Sequence, residues 1–150
     1  MDAWVYVLIA GGTALFLWFW WQSRVRALEI RTLAESCGFH CLGNSLPRSL
    51  SLSGRPFNSI TSVWNVIDGD PRGKRVIAFD CRFGEGKASW RRTVIAVKTE
   101  MSNITVSSFD PYLLLEQKDD WVFIYRPKDF ALVSRQLTPI PELRAYLENV

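Results

Sequence analysis

Histidine is almost missing from this chain, with His40 the single example in 150 residues, and the first 21 residues hold no lysine or arginine. One imidazole leaves little from which to build metal sites or nucleophile–base pairs. Cysteine is scarce too: Cys37, Cys41 and Cys81 make an odd count without a disulfide-like framework, which fits a reducing compartment better than a secreted one. There is no G-x-S-x-G elbow and no Walker-type or dinucleotide-binding glycine loop. Low-complexity tracts and solenoid-length repeats are absent, and no long stretch lacks an apolar residue, so a folded chain is expected rather than a disordered one.

What is there begins with a long apolar run. Ala3 to Trp21 reads AWVYVLIAGGTALFLWFWW, without one charged side chain. Nineteen residues at about 1.5 Å rise give roughly 28 Å as a helix, close to the hydrocarbon thickness of a bilayer. Hydrocarbon offers backbone amides no other partner, so a spanning segment here is helical. Trp4 and Tyr6 sit near one end, and Trp18, Trp20 and Trp21 at the other, where indole rings favour the headgroup boundary. A cleaved signal peptide is the rival reading. It calls for a positive amino-terminal region and small residues before a cleavage site, whereas this run starts Met-Asp-Ala and ends Trp-Phe-Trp-Trp.

The flanks set a direction. Arg24, Arg26 and Arg31 follow the run, and only Asp2 and the terminal amine precede it. The positive-inside rule then puts the amino terminus outside and the rest in the cytoplasm, as a single-pass protein of the cell (inner) membrane. Trp4, Trp18, Trp20, Trp21, Arg24 and Arg26 are the expected membrane-interface residues. Ala10 and Ala14, with Gly11 and Gly12, form a small-residue groove through which a second copy or another helix can pack closely, although such residues also occur in helices that touch only lipid.

After the anchor of residues 1–21, residues 22–38 read as a juxtamembrane helix and 39–150 as a soluble α+β domain. Ala27, Ile30, Ala34 and Cys37, with Leu33, make one apolar stripe, and Gly38 suits a left-handed stop. Residues 43–58 are rich in Ser, Gly, Pro and Asn and read as loop. The period then changes to two. Ile60–Ile67, Arg75–Phe83 and Trp90–Lys98 predict an antiparallel meander, followed by shorter strands at Ile104–Ser107, Leu113–Glu116 and Trp121–Tyr125, the last of them central. In the middle strand Ile77, Phe79, Cys81 and Phe83 share a packed face, and Val76, Ala78, Asp80 and Arg82 a partly wet one. Thr138 as N-cap and Pro139 open a terminal helix whose stripe is Ile140, Leu143, Leu147 and Val150. The expectation is thus an antiparallel sheet of about six strands packed by terminal helices. A bent sheet closed by its carboxy-terminal helix, as in pleckstrin-homology-like domains, is one topology this order permits.

Chemistry is harder to find. Cys37, His40, Cys41 and Cys81 nominally supply four zinc ligands, but their spacing matches neither a knuckle nor a ribbon, and Cys81 falls on an apolar strand face. His40 and Cys41 are adjacent, so on a strand they point to opposite faces. Asp80 and Asp110 have nothing to bring them together, and Asp119 and Asp120 read as a turn. Asn103-Ile104-Thr105 matches a glycosylation sequon, which has no meaning if the domain is cytoplasmic in a bacterium. No catalytic residue, metal, cofactor or small-molecule substrate is expected.

Charge departs most from an even surface. Arg72, Lys74, Arg75, Arg82, Lys87, Arg91, Arg92 and Lys98 face only Asp80 and Glu85 in the same segment. Beside a bilayer each basic residue adds roughly 1 kcal/mol of attraction to anionic lipid, so Arg72, Lys74, Arg75, Lys87, Arg91 and Arg92 are candidates for binding an anionic surface. A solvated sheet face is the plainer reading. Nucleic acid is not expected, since the stacking aromatics of RNA-binding sheets are missing.

Cys37-Gly38-Phe39, Asn65-Val66, Gly69, Val76-Ile77-Ala78-Phe79-Asp80 and Thr93-Val94 give residues 33–100 a resemblance to a group of bacterial single-pass membrane-anchored proteins with a small β-rich cytoplasmic domain. The resemblance implies that architecture and no catalytic residues. Two functions are therefore expected to compete. One is a membrane-tethered non-enzymatic interaction domain, an accessory or scaffold subunit of a membrane complex. The other is a lipid-apposed domain that binds anionic headgroups through its basic meander.

Overall fold

The computed structural model describes residues 3–86, 89–100, 113–127 and 137–149. One unbroken helix, α1 (Ala3–Cys37), covers both the apolar run and the juxtamembrane stripe. It is long and apolar enough to cross a membrane, and none of its most apolar stretch is buried against the domain. Gly38 ends it at φ 75°, and the Phe39 N–H donates to the Ala34 carbonyl at 2.8 Å, satisfying an orphan acceptor of the last turn.

Six strands follow: β1 (His40–Gly43), β2 (Ile60–Gly69), β3 (Val76–Phe83), β4 (Trp90–Lys98), β5 (Leu114–Lys118) and β6 (Trp121–Tyr125). All pairings are antiparallel, in the order β1-β2-β3-β4-β6-β5. The α+β architecture, the meander and the internal position of the Trp121–Tyr125 strand match the sequence expectation. The expected strand at 104–107 lies outside the described residues, and β1 is a strand the periodicity did not predict. Four residues at a sheet edge are too few to display a period.

The sheet has no wet face along β3, where seven of the eight residues are buried. On one side α1 and α2 (Ile140–Asn149) cover Ile67, Val76, Ala78, Ile95, Val122 and Ile124 with Ile30, Leu33, Ala34, Leu143 and Leu147. On the other, the segment read as plain loop lies over Ile77, Phe79, Phe123 and their neighbours through Leu50 and Phe57, with the Phe57 and Phe123 rings 4.4 Å apart. The partly wet face expected for Val76, Ala78 and Asp80 is thus the helix-covered one. Two helices share it, which departs from the single-helix closure of a pleckstrin-homology-like domain.

Two local expectations change. Ala27 is exposed, so the inward stripe of α1 runs Arg26, Ile30, Leu33, Ala34, Cys37, with a cation in first place. Thr138 is not the N-cap. The Pro139 carbonyl accepts the first helical bond, from the Leu143 N–H at 2.9 Å, and Thr138 is occupied elsewhere.

Candidate functional site at the helix–sheet junction

Asp80 sits in the middle of β3 with no solvent exposure. A buried carboxylate is tolerated only if its lone pairs are filled, and four donors fill them here. Arg26 gives Nε to Oδ2 at 2.8 Å and Nη2 to Oδ1 at 2.9 Å. Asn65 Nδ2 donates to Oδ2 at 2.9 Å and the Thr93 hydroxyl to Oδ1 at 2.7 Å. Asn65 reaches Asp80 because β2 slips register between Trp64 and Ile67, with Asn65 at φ 53°. Thr93 Oγ1 in turn accepts from Arg26 Nη2 and from the Thr138 N–H, both at 3.0 Å. Arg26 Nη1 donates to the Thr138 carbonyl at 3.0 Å. One network therefore ties α1, strands β2, β3 and β4, and the entry to α2. A carboxylate so saturated has no lone pair left for a base or a metal ligand, so the network is a clamp.

Arg26 was grouped by sequence with the headgroup residues, yet its side chain is turned into the domain. Trp4, Trp18, Trp20 and Trp21 are exposed on α1, and the Arg24 guanidinium lies 4.8 Å over the Trp20 ring. The clamp was half legible. Arg26 stands four residues before Ile30, in line with the apolar stripe, and Asp80 interrupts an apolar strand. Only the bulge at Asn65 left no trace in the period.

The basic meander separates into two ends. Arg26 meets Asp80, whereas Phe39, beyond the last turn of α1, lies against Gly69, the partner of Val76. The helix thus runs antiparallel to β3, with its apolar half projecting past Arg82. Arg72, Lys74 and Arg75 occupy the opposite end, on the order of 20 Å beyond Asp80. There Arg75 donates to both Asp68 oxygens at 3.1 and 2.7 Å, and that hydrogen bonding raises the pKa of its guanidinium further. Arg92 is buried and donates to the carbonyls of Arg91, Arg126 and Pro127. These residues do not form one anionic-surface patch, because strand direction and internal bonding divide them. Lys87 lies outside the described residues. Trp90, at the start of β4, stacks on Phe83 with ring centres 5.5 Å apart.

Arg82 and Arg91 are what remains at the end toward the apolar helix. They are directly opposed across β3 and β4, on the same face as Asp80 and Thr93. A cavity of about 470 Å³ lies between them and α1, with Gln22 and Ser23 on the helix side and Ser62 and Trp64 on the sheet side. The Arg91 guanidinium is 5.9 Å from the Trp64 ring centre.

The cysteines do not converge. Cys81 is buried among Phe79, Phe83 and Val94, and burial first, then the Asp80 charge, pushes its thiol pKa upward. Cys41 is exposed on β1, its pKa raised by partial burial, and Cys37 is half-buried at the end of α1. Among the described residues no three His, Cys, Asp or Glu side chains gather as a metal site would require. No protein-family model matches the chain, and comparison with curated proteins and with solved structures gives no match either.

Proposed function

We propose that this chain is a single-pass, membrane-tethered interaction domain without enzymatic activity, serving as an accessory or scaffold subunit of a membrane complex. In this reading residues 1–21 anchor it in the cell membrane with the amino terminus outside, and the sheet lies in the cytoplasm. The observation that carries the proposal is the clamp, where Arg26 enters the domain only five residues after Trp21 on the same unbroken helix. A helix without a hinge, pinned to three strands, holds the domain at a fixed height and rotation above the bilayer. Fixed placement serves a subunit that presents a surface to a neighbour. A partner can also pack along α1, where Gly11 and Gly12 leave open space.

Tagged full-length protein, purified gently in mild detergent, is expected to bring down one stoichiometric membrane partner. A flexible Gly-Ser insert between Trp21 and Arg24 should leave the domain folded and lose that partner. Recovery as a lone monomer from native membranes would overturn the proposal. Paired carboxy-terminal reporters, one active only in the cytoplasm and one only outside it, test the orientation.

A second reading, a domain apposed to anionic lipid, is favoured by the Arg82–Arg91 pair beside the polar boundary of α1. It narrows the basic meander to one end of the sheet.

A further inference from the structure

We infer that the rim of the sheet nearest the apolar half of α1, formed by the start of β2 and the turn after β3, is a second membrane contact, seated in the headgroup layer of a phospholipid bilayer. The inference rests on the anchored reading of residues 1–21, and it concerns depth rather than lipid charge. Two contacts fix that depth. Arg26 meets Asp80 through bonds of 2.8 and 2.9 Å. Phe19, Gln22 and Ser23 line one cavity together with Ser62, Trp64 and Arg82. Because α1 runs antiparallel to β3, each residue after Asp80 on that strand lies further toward the apolar run. From Asp80 to Phe83 the strand advances roughly 10 Å. From Arg26 back to Trp21 the helix covers only about 7.5 Å. The end of β3 is thus level with Trp21, and the turn that follows it reaches further.

The headgroup layer on each side of a bilayer is roughly 5–8 Å thick. Trp18 to Ser23 spans about 7.5 Å of helix, which matches it. With the exposed Trp18, Trp20 and Trp21 in that layer, as indole rings prefer, the rim occupies it too. The residues there suit the place. Trp64 and Trp90, both half-buried, put two further indole rings at this end of the sheet. The Thr61 hydroxyl donates to the Gly84 carbonyl at 3.2 Å, which joins the turn to β2, and Thr61, Glu85 and Gly86 are exposed. A turn displays peptide groups that hydrocarbon leaves unsatisfied and water does not. The rim therefore stops among the headgroups, where water remains.

The test uses the full chain in vesicles of phosphatidylcholine alone, with Cys37→Ser and Cys41→Ser and with Cys81 left buried. A nitrobenzoxadiazole fluorophore is attached to one added cysteine at a time. Lipids carrying a nitroxide on the headgroup, or deep in the acyl chain, quench it on close approach. Labels at Glu85→Cys and at Thr61→Cys, two separate points on the rim, are expected to lose at least half their emission to the headgroup nitroxide and little to the deep one. A label at Asp70→Cys, next to Gly69 at the far end of the sheet, should lose little to either. Leu15→Cys, exposed on the apolar run, should be quenched by the deep nitroxide. A flexible Gly-Ser insert between Trp21 and Arg24 should free the rim and bring Glu85 down to the level of Asp70. Equal responses at Glu85, Thr61 and Asp70, while Leu15 still reports the anchor, overturn the inference and leave the rim to a protein neighbour. Quenching at Glu85 that survives the insert shows that α1 does not set the depth, and overturns it as well. An unquenched Leu15 defeats the anchored reading itself, and the inference with it.

Discussion

Arg26 and Asp80, 54 positions apart in sequence, meet as a two-pronged ion pair with both bonds shorter than 3.0 Å. The carboxylate is fully buried and the arginine side chain is 17% exposed. Breaking one side of such a pair strands the other without water, and that cost exceeds anything the intact pair adds to stability.

Asp80→Ala is therefore expected to destabilise the domain by about 3 kcal/mol, the lower end of the buried-pair range because Arg26 keeps some solvent contact. Arg26→Met alone should cost a similar amount, since it leaves the carboxylate short of two donors. The double variant Arg26→Met with Asp80→Leu should recover much of the loss. Denaturant unfolding of the full chain in detergent, followed by near-UV circular dichroism, gives the coupling energy. Additive single costs would show that the pair is not a unit.

The elements that the sequence revealed are those with a long enough period. The Ile30–Leu33–Ala34 stripe, the three meander strands and the Trp121–Tyr125 strand each carry several repeats, and each lies where its pattern placed it. What escaped notice was fixed by contacts distant in sequence. Phe57 and Leu50 cover a sheet face from a segment without any period. The bulge that aims Asn65 at Asp80 is a register slip, invisible without the partner strand. The basic residues were legible as a composition but not as a place, because only the direction of α1 against β3 separates Arg82 and Arg91 from Arg72, Lys74 and Arg75.

Thiol reactivity should separate the three cysteines. Cys41 is exposed and is expected to react first with a maleimide near neutral pH; Cys37, half-buried, follows. Cys81 has no solvent exposure and its thiol is held protonated, so it should react only after denaturation. Mass analysis after timed labelling counts the adducts. Fast modification of Cys81 in the folded chain would contradict the packing of β3 against Phe57.

Alkaline pH should weaken the domain. Cys81 and Tyr125 both hold their protons more tightly folded than unfolded, Cys81 through burial and the nearby Asp80, Tyr125 through burial and its bond to Glu116 at 3.0 Å. The folded chain then carries more protons above the ordinary thiol value of 9.0 and phenol value of 10.0. Their stabilisation is complete below those values and is lost as pH rises past them. Cys81 alone accounts for about 1 kcal/mol of loss between pH 9 and 10, since the unfolded thiol is only half ionised at the start of that window. Cys81→Ala should flatten that part of the stability profile, and Tyr125→Phe the part above it, as read from denaturant midpoints at each pH.

Gly69→Ala tests how α1 is set on the sheet. A Cβ at residue 69 falls 2.6 Å from the Phe39 ring, well inside any contact that real side chains make. Phe39 is 5% exposed and is tied back to the helix end through its N–H, so the ring has little room to withdraw. Overpacking of this kind costs about 1–3 kcal/mol. Phe39→Ala should also destabilise, by removing a buried ring, but adding Gly69→Ala to it should then cost little, because the clash is gone. Thermal melts of the two single variants and the double variant measure the difference. If Gly69→Ala costs the same in both backgrounds, strand conformation rather than Phe39 explains the glycine, and the turn from α1 into β1 is not fixed by this contact.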